Sequence, residues 1–406
     1  MTKPELLAPA GDRERLDAAL QYGADAVYLA GPSFGLRSAP ANFSQEELRL
    51  AVADAHRQGV RVYVTCNILP RNEDIRRLPP FLEEWQDMGV DALIVADLGV
   101  MALAQRHAPR CALHVSTQFG VVNSATASRL YDLGASRAVL ARELSVEEIA
   151  EIRRQAPAGL ELEAFVHGAM CMSYSGRCML SAYLNGRDGN RGDCTQPCRW
   201  SYQLVEPHRP DRPFTVAEDE QGTYLFNAHD LCMIEHLPDL ARAGVSSFKI
   251  EGRAKAAYYV AVVTNAYRMA IDGWEAAGYT PGWRPQDWIV QEVNMVSHRP
   301  YGTGFYYGQP CQDTRRGGYI RDWEVVAVAG KWEKGIQHLS QRNRFFAGEE
   351  LSVLQPGKPP FSLVASPLLD GEGNPIESAP HPTMALQIPL AQPLVPGSLL
   401  RRRCTS

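Results

Sequence analysis

Eight short apolar runs alternate with amphipathic helical patterns, and this alternation limits the possible folds more than any other feature of the sequence. The runs are Glu5–Pro9, Ala26–Leu29, Val60–Val64, Ala92–Ala96, Leu113–Ser116, Ala138–Ala141, Leu160–Val166 and Ser247–Ile250. Helical patterns such as residues 44–59 separate the runs, and several end in a glycine, which is typical of helix C-caps. Eight strands separated by helices predict an α/β fold, a (β/α)8 TIM-like barrel, because the alternative doubly wound sheet usually has fewer strands.

The periodicity changes after the barrel region. A helical pattern at residues 254–277 ends the barrel, and a stretch rich in Trp, Pro and Gly follows it. From Tyr319, alternating apolar and polar residues with Gly and Pro turns predict a small β-barrel or sandwich. The chain should then end in a frayed tail, LLRRRCTS. The predicted organisation is a barrel over 1–278 with an insertion at 167–232, a linker over 279–318 and a small all-β domain over 319–400.

The insertion between the seventh and eighth strands contains four closely spaced cysteines. They are Cys171, Cys178, Cys194 and Cys198, in the pattern C-x6-C-x15-C-x3-C. Thiolates bind zinc and iron–sulfur centres. Structural zinc sites usually have two tight pairs, and here only the second pair is tight, whereas iron–sulfur sites accept less regular spacing. The spacing favours a [4Fe–4S] cluster and leaves zinc, or cysteines without a metal, as alternatives. Cys232, in the same insertion, could replace Cys194 or Cys198.

The net charge, the N-terminal pattern and the lengths of the apolar runs indicate the class of protein and its compartment. The formal net charge of −5 argues against a surface coated with nucleic acid, although it allows a local basic patch. The N-terminus lacks the pattern of a signal peptide, and no apolar run is long enough to span a bilayer. We therefore expect a cytosolic protein whose nine cysteines stay reduced.

Polar residues that follow the strands are the candidates for a site, because barrel active sites lie at the C-terminal ends of the strands. The candidates are Asn67, Asp97, Gln118, Arg142, Glu143, His167, Lys249, Glu251 and Arg253, with Arg37 and Asn42 in the loop after the second strand. Each is also explained by hydrogen bonds to loop backbone. The segment Lys249–Arg253 places two cations beside a carboxylate, which suits anion recognition or a structural ion pair.

His167 precedes Cys171 by four residues, which raises the question of a Cys–His nucleophile. That chemistry needs a free thiolate and a third group that orients the imidazole. Four clustered cysteines are better explained as metal ligands. His167 is then a hydrogen-bond donor to one of the metal ligands, a residue that contacts the substrate, or a structural histidine.

The C-terminal region contains basic clusters among aromatic residues. The basic residues are Arg315, Arg316, Arg342, Arg344 and Arg401–Arg403, and the aromatic ones are Tyr319, Trp323, Phe345 and Phe346. Such a surface can follow a phosphate backbone and stack on bases, or it can simply be solvated. RNA contact is therefore one of two open interpretations of this region.

Several motifs together resemble a known family. The motifs ELLAPAG, GADAVYLAG, HGAMCMSYSGRC, CTQPCRW, FKIEGR and HRPYGTGFYYG are similar to those of the collagenase-like peptidases of unassigned catalytic type, peptidase family U32. The resemblance covers essentially the whole chain and is greatest to the branch that hydroxylates the wobble uridine of tRNA. It implies a barrel with a [4Fe–4S] cluster, held here by Cys171, Cys178, Cys194 and Cys198, and prephenate as a co-substrate.

We therefore predict an oxygen-independent enzyme that hydroxylates a tRNA uridine, with tRNA and a small co-substrate as its partners. His167 and Glu251 are the predicted catalytic residues, and Arg37, Asn67, Gln118 and Arg253 the predicted substrate-binding residues. Alternatives are hydroxylation of ribosomal RNA or of a ubiquinone precursor, a cysteine peptidase, and a non-catalytic RNA-binding or assembly module stabilised by zinc. The protease label has no independent support among these residues.

Overall fold

A computed structural model describes residues 2–35, 42–171, 174, 177–200, 218–219, 222–223, 229–310 and 319–404. Its first seven strands are β1 Glu5–Pro9, β2 Ala26–Leu29, β3 Arg61–Cys66, β4 Ala92–Val95, β5 Ala112–Val115, β6 Arg137–Val139 and β7 Glu161–Gly168. The insertion contributes β8 Glu218–Asp219, β9 Gly222–Thr223 and β10 Asp230–Cys232, and β11 Val245–Ile250 is the eighth barrel strand. The eight strands are parallel, and the pairing of β11 with both β1 and β7 closes the barrel. The predicted TIM-like barrel is confirmed.

Helices cover the outside of the barrel. They are α1 Arg13–Gln21, α2 Gln45–Arg57, α3 Asn72–Asp87, α4 Leu98–His107, α5 Ser124–Asp132, α6 Val146–Gln155, α8 Leu237–Arg242 and α9 Ala257–Ala276, with α7 Leu180–Asn185 in the insertion and α10 Asp287–Glu292 after the barrel. Ser44 with Glu47, and Ser145 with Glu148, form capping boxes that bond the first backbone N–H groups of α2 and α6. None of the helices in the described part of the chain is long and apolar enough to cross a membrane.

The barrel interior contains a charged layer instead of a purely aliphatic one. The Arg137 guanidinium, with Nη1 2.5 Å from Glu5 Oε1 and 3.0 Å from Glu163 Oε2, joins two buried carboxylates. Lys249 Nζ lies 2.6 Å from Glu163 Oε1. These cations lower the pKa of Glu5 and Glu163 despite the burial that opposes ionisation. The layer therefore extends from Glu5 and Arg137, at the N-terminal ends of β1 and β6, to Lys249 near the C-terminal opening of the barrel, which we call the mouth.

One extra residue in β7 changes the direction of the side chains near the mouth. Phe165 pairs with Lys249 and His167 pairs with Ile250, so Val166 has no counterpart on β11. Phe165 and Lys249 line the cavity at the mouth, whereas Ile250 belongs to the apolar cluster packed under the surrounding helices. Such a bulge reverses the alternation of side chains. His167 consequently faces the helices rather than the barrel interior.

The interval between the barrel and the C-terminal domain adds to the barrel sheet. It contains α10 and β12 Tyr301–Gly302. β10 pairs antiparallel with the end of β7, and β12 pairs parallel with β10. The interval predicted as a linker therefore packs on the part of the barrel next to the insertion.

The C-terminal domain is antiparallel and all-β, as predicted. Its strands are β13 Trp323–Glu333, β14 Ile336–Gln341, β15 Phe345–Phe346, β16 Glu350–Leu354, β17 Phe361–Val364, β18 Leu369–Asp370, β19 Ser378–Ala379, β20 Ala385–Pro389 and β21 Leu399–Arg403. Seven of them form one sheet in the order β17-β16-β21-β13-β14-β20-β18, and β15 pairs with β19. Inward side chains such as Leu351, Val353 and Leu386 form its core.

The prediction of a frayed tail is wrong for residues 399–403. They form β21, which lies between β13 and β16. The Arg401 side chain is fully buried and makes a bidentate ion pair with Glu292 of α10, at 2.8 and 2.6 Å. Arg402 bonds to Glu324 and Glu349. Neither arginine therefore belongs to a solvated basic surface, and Arg315 and Arg316 lie outside the described residues.

Candidate active site at the barrel mouth

A cavity of about 130 Å³ opens at the C-terminal ends of the barrel strands. Its lining comes from β2, β3, β4, β6, β7 and β11 and from the loops after β3, β5, β6, β7 and β11. The lining residues are Tyr28, Thr65, Asn67, Ile94, Ser116, Thr117, Gln118, Val139, Arg142, Phe165, Ala169, Cys171, Lys249, Glu251 and Arg253. A small ligand in this cavity would contact groups from six of the eight strands and from the loop after β5, as in other barrel sites.

Positive charge predominates in the cavity. Lys249, Arg142 and Arg253 line it, and Glu251 is the one carboxylate in the described lining. Lys249 contacts Glu163 below the cavity, and its Nζ lies 4.6 Å from the centre of the Tyr28 ring. Because these cations lie at the base and wall of a partly enclosed space, the cavity favours an anionic ligand.

Arg142 is the cation best placed to contact such a ligand. Its guanidinium stacks 3.8 Å from the centre of the Phe165 ring, and Nη1 donates a hydrogen bond of 2.7 Å to the Ala169 carbonyl. Nη2 lies 3.6 Å from Glu251 Oε2, and the side chain is 10% exposed. Its Nε is buried without a hydrogen-bond partner among the described residues. A buried donor without a partner is costly, so a ligand oxygen that accepts its hydrogen would be stabilised.

Other polar groups of the cavity are held in place by hydrogen bonds. Arg253 Nη1 donates to Thr65 Oγ1 at 3.1 Å, and Asn67 Nδ2 donates to Ser116 Oγ at 3.2 Å. Ser116 also caps the short 3-10 helix Thr117–Phe119, which presents Gln118 to the cavity. The two amide side chains have the donor and acceptor groups that a nucleobase edge requires.

The structure brings together five of the ten residues in the predicted site. Asn67, Gln118, Cys171, Glu251 and Arg253 line the cavity. His167 does not line it, Arg37 lies outside the described residues, and the other three cysteines lie farther along the insertion. Tyr28, Thr65 and Phe165 were not predicted. The alternation of inward and outward side chains along each strand could have identified them, because they occupy inward positions near the strand ends.

His167 is enclosed by tyrosines. Its Nδ1 lies 3.3 Å from the hydroxyl of Tyr267 in α9, and its Nε2 lies 3.3 Å from the hydroxyl of Tyr301 in β12. The Tyr259 ring is a third neighbour, 5.9 Å away between ring centres. Burial, with smaller contributions from His298 and Lys255, lowers the pKa of His167 to about 3. The imidazole is therefore neutral at physiological pH and connects the end of β7 to α9.

We expect His167 to make folding stability dependent on pH. The pKa of His167 is about 3 in the folded protein, and its usual value is 6.5, so the unfolded chain binds a proton first as the pH falls. The stabilising contribution is complete above pH 6.5 and is lost towards pH 3. Between pH 7 and pH 5, the wild type should lose about 2 kcal/mol more unfolding free energy than His167→Asn. Urea denaturation at both pH values measures this difference.

The matched control is His381→Asn, since His381 lies exposed in a loop of the C-terminal domain. This variant should follow the pH dependence of the wild type. If His167→Asn also followed it, His167 would not be the group that titrates on unfolding.

Comparison with known proteins identifies the family. A profile of peptidase family U32 matches residues 11–316, and a profile of the peptidase family U32 C-terminal domain matches residues 321–401. The chain belongs to peptidase family U32.

Similar proteins in this family have names that refer to RNA hydroxylation. The chain is 37% identical to tRNA hydroxylation protein P of Escherichia coli, over 96% of this chain and 94% of that protein. It is 35% identical to tRNA hydroxylation protein P1 of Bacillus subtilis, over 98% of this chain and 95% of that protein. The 23S rRNA 5-hydroxycytidine C2501 synthase of Escherichia coli is 38% identical over 66% of this chain and 39% of that protein.

The described part of the mouth does not contain the catalytic pair of a cysteine peptidase. Cys171 is the one cysteine in the described cavity lining, and that part of the lining includes no histidine. His167, the histidine nearest to Cys171 in the sequence, faces the tyrosines of α9 and β12. The residues described at the mouth therefore do not form the nucleophile–base pair that thiol catalysis requires.

The cysteine segment extends from the end of β7, where Cys171 lines the cavity, to the loop after β3, where the Leu69 N–H bonds to the Asn190 carbonyl. Cys171, Cys178 and Cys194 form no disulfide bonds, and Cys198 lies in the 3-10 helix Pro197–Arg199. Within the described ranges, no group of three or more His, Cys, Asp and Glu side chains is arranged to hold a metal ion. The four thiols thus have the donor chemistry of an iron–sulfur site, but the described residues do not show its geometry. We assign no step of the reaction to a cluster.

Cys232 has a different environment from these four. It lies in β10, with its Sγ 3.9 Å from the Tyr267 hydroxyl. Burial raises the pKa of its thiol to about 11, which opposes the thiolate form that a metal ligand needs. This environment argues against Cys232 as a replacement for Cys194 or Cys198.

Proposed function

We propose that this U32 protein hydroxylates the wobble uridine of tRNA to 5-hydroxyuridine, without molecular oxygen and with prephenate as the co-substrate. The observation that carries the proposal is the similarity, across both domains, to two proteins named for tRNA hydroxylation. The cation-rich cavity at the mouth is consistent with a small anionic co-substrate. Prephenate carries two carboxylates, which match the chemistry of arginine and lysine side chains.

The cavity residues then have distinct roles. Arg142, Lys249 and Arg253 bind the carboxylates of the co-substrate, and Arg142 contributes the donor that has no partner among the described residues. Asn67 and Gln118 bond to the edge of the uracil ring. Glu251, 3.6 Å from Arg142 Nη2, is placed to accept a proton from the bound reactants. His167 holds the end of β7 in position and takes no part in proton transfer.

Nucleoside analysis of tRNA tests this function. Mass spectrometry of tRNA from a deletion strain should show the loss of 5-hydroxyuridine derivatives, with recovery on expression of the wild type. Arg253→Met should not restore them, and His381→Asn, on the exposed loop of the C-terminal domain, should. An unchanged tRNA profile in the deletion strain would contradict the proposal. Loss of hydroxycytidine from ribosomal RNA instead would favour the second candidate, suggested by the similarity to the 23S rRNA synthase.

We further propose that Cys171, Cys178, Cys194 and Cys198 hold a [4Fe–4S] cluster, which would supply electron-transfer chemistry beside the cavity. Its support is the set of four thiols on one segment, of which Cys171 borders the cavity. Iron and sulfide in anaerobically purified protein should be lost in Cys194→Ala and retained in Cys111→Ala, whose thiol bonds to the Val90 carbonyl. Zinc without iron, or no metal, in the wild type would overturn this assignment.

A further inference from the structure

Large apolar side chains are exposed on the insertion, beside the mouth. They are Tyr174, Met179, Tyr183, Leu184 and Trp200, which we call the rim patch. Tyr183 is 86% exposed and Met179 69%. Such a cluster on one segment usually marks a surface that contacts a partner.

The geometry of α7 explains why Tyr183 is exposed. Ser181, which is buried, bonds to the Thr195 backbone N–H at 3.0 Å and to its hydroxyl at 3.1 Å. Asn185 Nδ2 donates to the same hydroxyl at 2.9 Å. Because successive helical residues are about 100° apart, Tyr183 projects from the face opposite Ser181. Met179, four residues earlier, lies on the same face as Tyr183. The hydrogen bonds of Thr195 therefore fix the orientation of α7 so that the face with Tyr183 and Met179 is exposed to solvent.

Contacts with the barrel place this segment at the edge of the cavity. The Leu69 N–H donates to the Asn190 carbonyl at 3.1 Å, and Arg191 Nη1 lies 2.9 Å from Asp74 Oδ2. Asn190 Nδ2 in turn bonds to the Cys178 carbonyl at 3.0 Å, next to Met179. Leu69 follows the cavity residue Asn67 by two positions, so their Cα atoms are at most about 8 Å apart. The rim patch thus borders the opening through which a substrate enters.

We propose that the rim patch stacks on the nucleotides that flank the target uridine, so that it binds a single-stranded loop of RNA. This inference rests on the proposed function. A base that enters the cavity leaves its neighbours without stacking partners, and exposed rings such as Tyr183, Tyr174 and Trp200 replace them. The exposed Arg177, whose N–H bonds to the Tyr174 carbonyl at 3.0 Å, adds positive charge next to Tyr174. Rings interleaved with a cation favour RNA over an apolar protein surface.

Binding of an anticodon stem-loop RNA, measured by fluorescence anisotropy with the full-length protein, tests this inference. Tyr183→Ala should weaken binding by about 5- to 100-fold, the effect of removing one stacked base. Tyr183→Phe keeps the ring and should bind like the wild type, whereas Tyr183→Leu keeps apolar area and should bind as weakly as Tyr183→Ala. Tyr131→Ala, which removes an exposed ring from α5 on the outside of the barrel, should leave binding unchanged.

The dependence of RNA affinity on salt concentration distinguishes base stacking from electrostatic attraction. Tyr183→Ala should keep the slope of log affinity against log salt concentration, whereas Arg177→Ala should reduce that slope by about 1. Tyr183→Leu binding like the wild type would overturn the stacking assignment and favour an apolar contact. If Tyr183→Ala bound the RNA like the wild type while the protein still hydroxylated tRNA, this inference would fail and the proposed function would stand. A wild type that neither bound nor hydroxylated RNA would contradict both.

Discussion

Arg137→Met is expected to lower the free energy of unfolding by about 3–5 kcal/mol, the usual cost of removing one partner from a buried ion pair. The Arg137 side chain is 2% exposed and neutralises Glu5 and Glu163, which lie inside the barrel with it. Methionine fills much of the volume but leaves Glu5 with the half-exposed Arg61 as its remaining cation, and Glu163 with Lys249. Urea denaturation followed by circular dichroism at pH 7 measures the change.

Two variants make this result specific. Arg129→Met removes a surface arginine, 70% exposed and 3.8 Å from Asp132, and should change stability by less than about 0.5 kcal/mol. The double variant Glu5→Gln with Arg137→Met should recover part of the loss, because the carboxylate no longer needs a cation. If Arg137→Met were no more destabilising than Arg129→Met, the charged layer would not stabilise the barrel.

Arg142→Met is expected to reduce kcat/KM for the proposed hydroxylation of tRNA by about 100-fold, since a hydrogen bond to a charged group contributes about 1.5–3 kcal/mol. The guanidinium is stacked on Phe165, and its Nε has no hydrogen-bond partner among the described residues, so a bound anion gains a donor that is already in place. The KM for the anionic co-substrate should rise, because the interaction forms in the ground state as well. Initial rates at varied co-substrate concentration measure both constants.

Arg142→Lys should be an intermediate case. Lysine keeps the charge but cannot both stack on Phe165 and donate from the Nε position, so part of the loss should remain. Thermal unfolding of both variants shows whether the fold is intact. Unchanged kinetic constants in Arg142→Met would mean that Arg142 only connects Ala169 and Glu251.

The barrel could be predicted because its strands are short and buried on both faces, which makes each an uninterrupted apolar run. The glycines after the helices indicated where each helix ends. Gly23 and Gly244, for example, both adopt a φ of 95°. The site candidates followed from the same reasoning, since the residue after a barrel strand points to the mouth. Asn67, Gln118, Glu251 and Arg253 were predicted in this way and line the cavity.

Two features could not be predicted because they depend on contacts between distant segments. The direction of His167 depends on the extra residue Val166, which becomes evident only when β7 pairs with β11, more than 80 positions further along the chain. The three arginines at 401–403 have the composition of a solvated surface. The burial of Arg401 depends on Glu292 of α10, which supplies the opposite charge.

The sequence by itself determined the eight-stranded barrel, the all-β domain after it, the insertion and most of the polar residues at the mouth. These are consequences of local periodicity, which each segment carries independently of its partners. Only the tertiary structure decided which charges pair inside the barrel, that His167 faces the tyrosines, and that Arg142 Nε is buried without a hydrogen-bond partner among the described residues. These features depend on strand register and on long-range ion pairs, so no local pattern of residues specifies them.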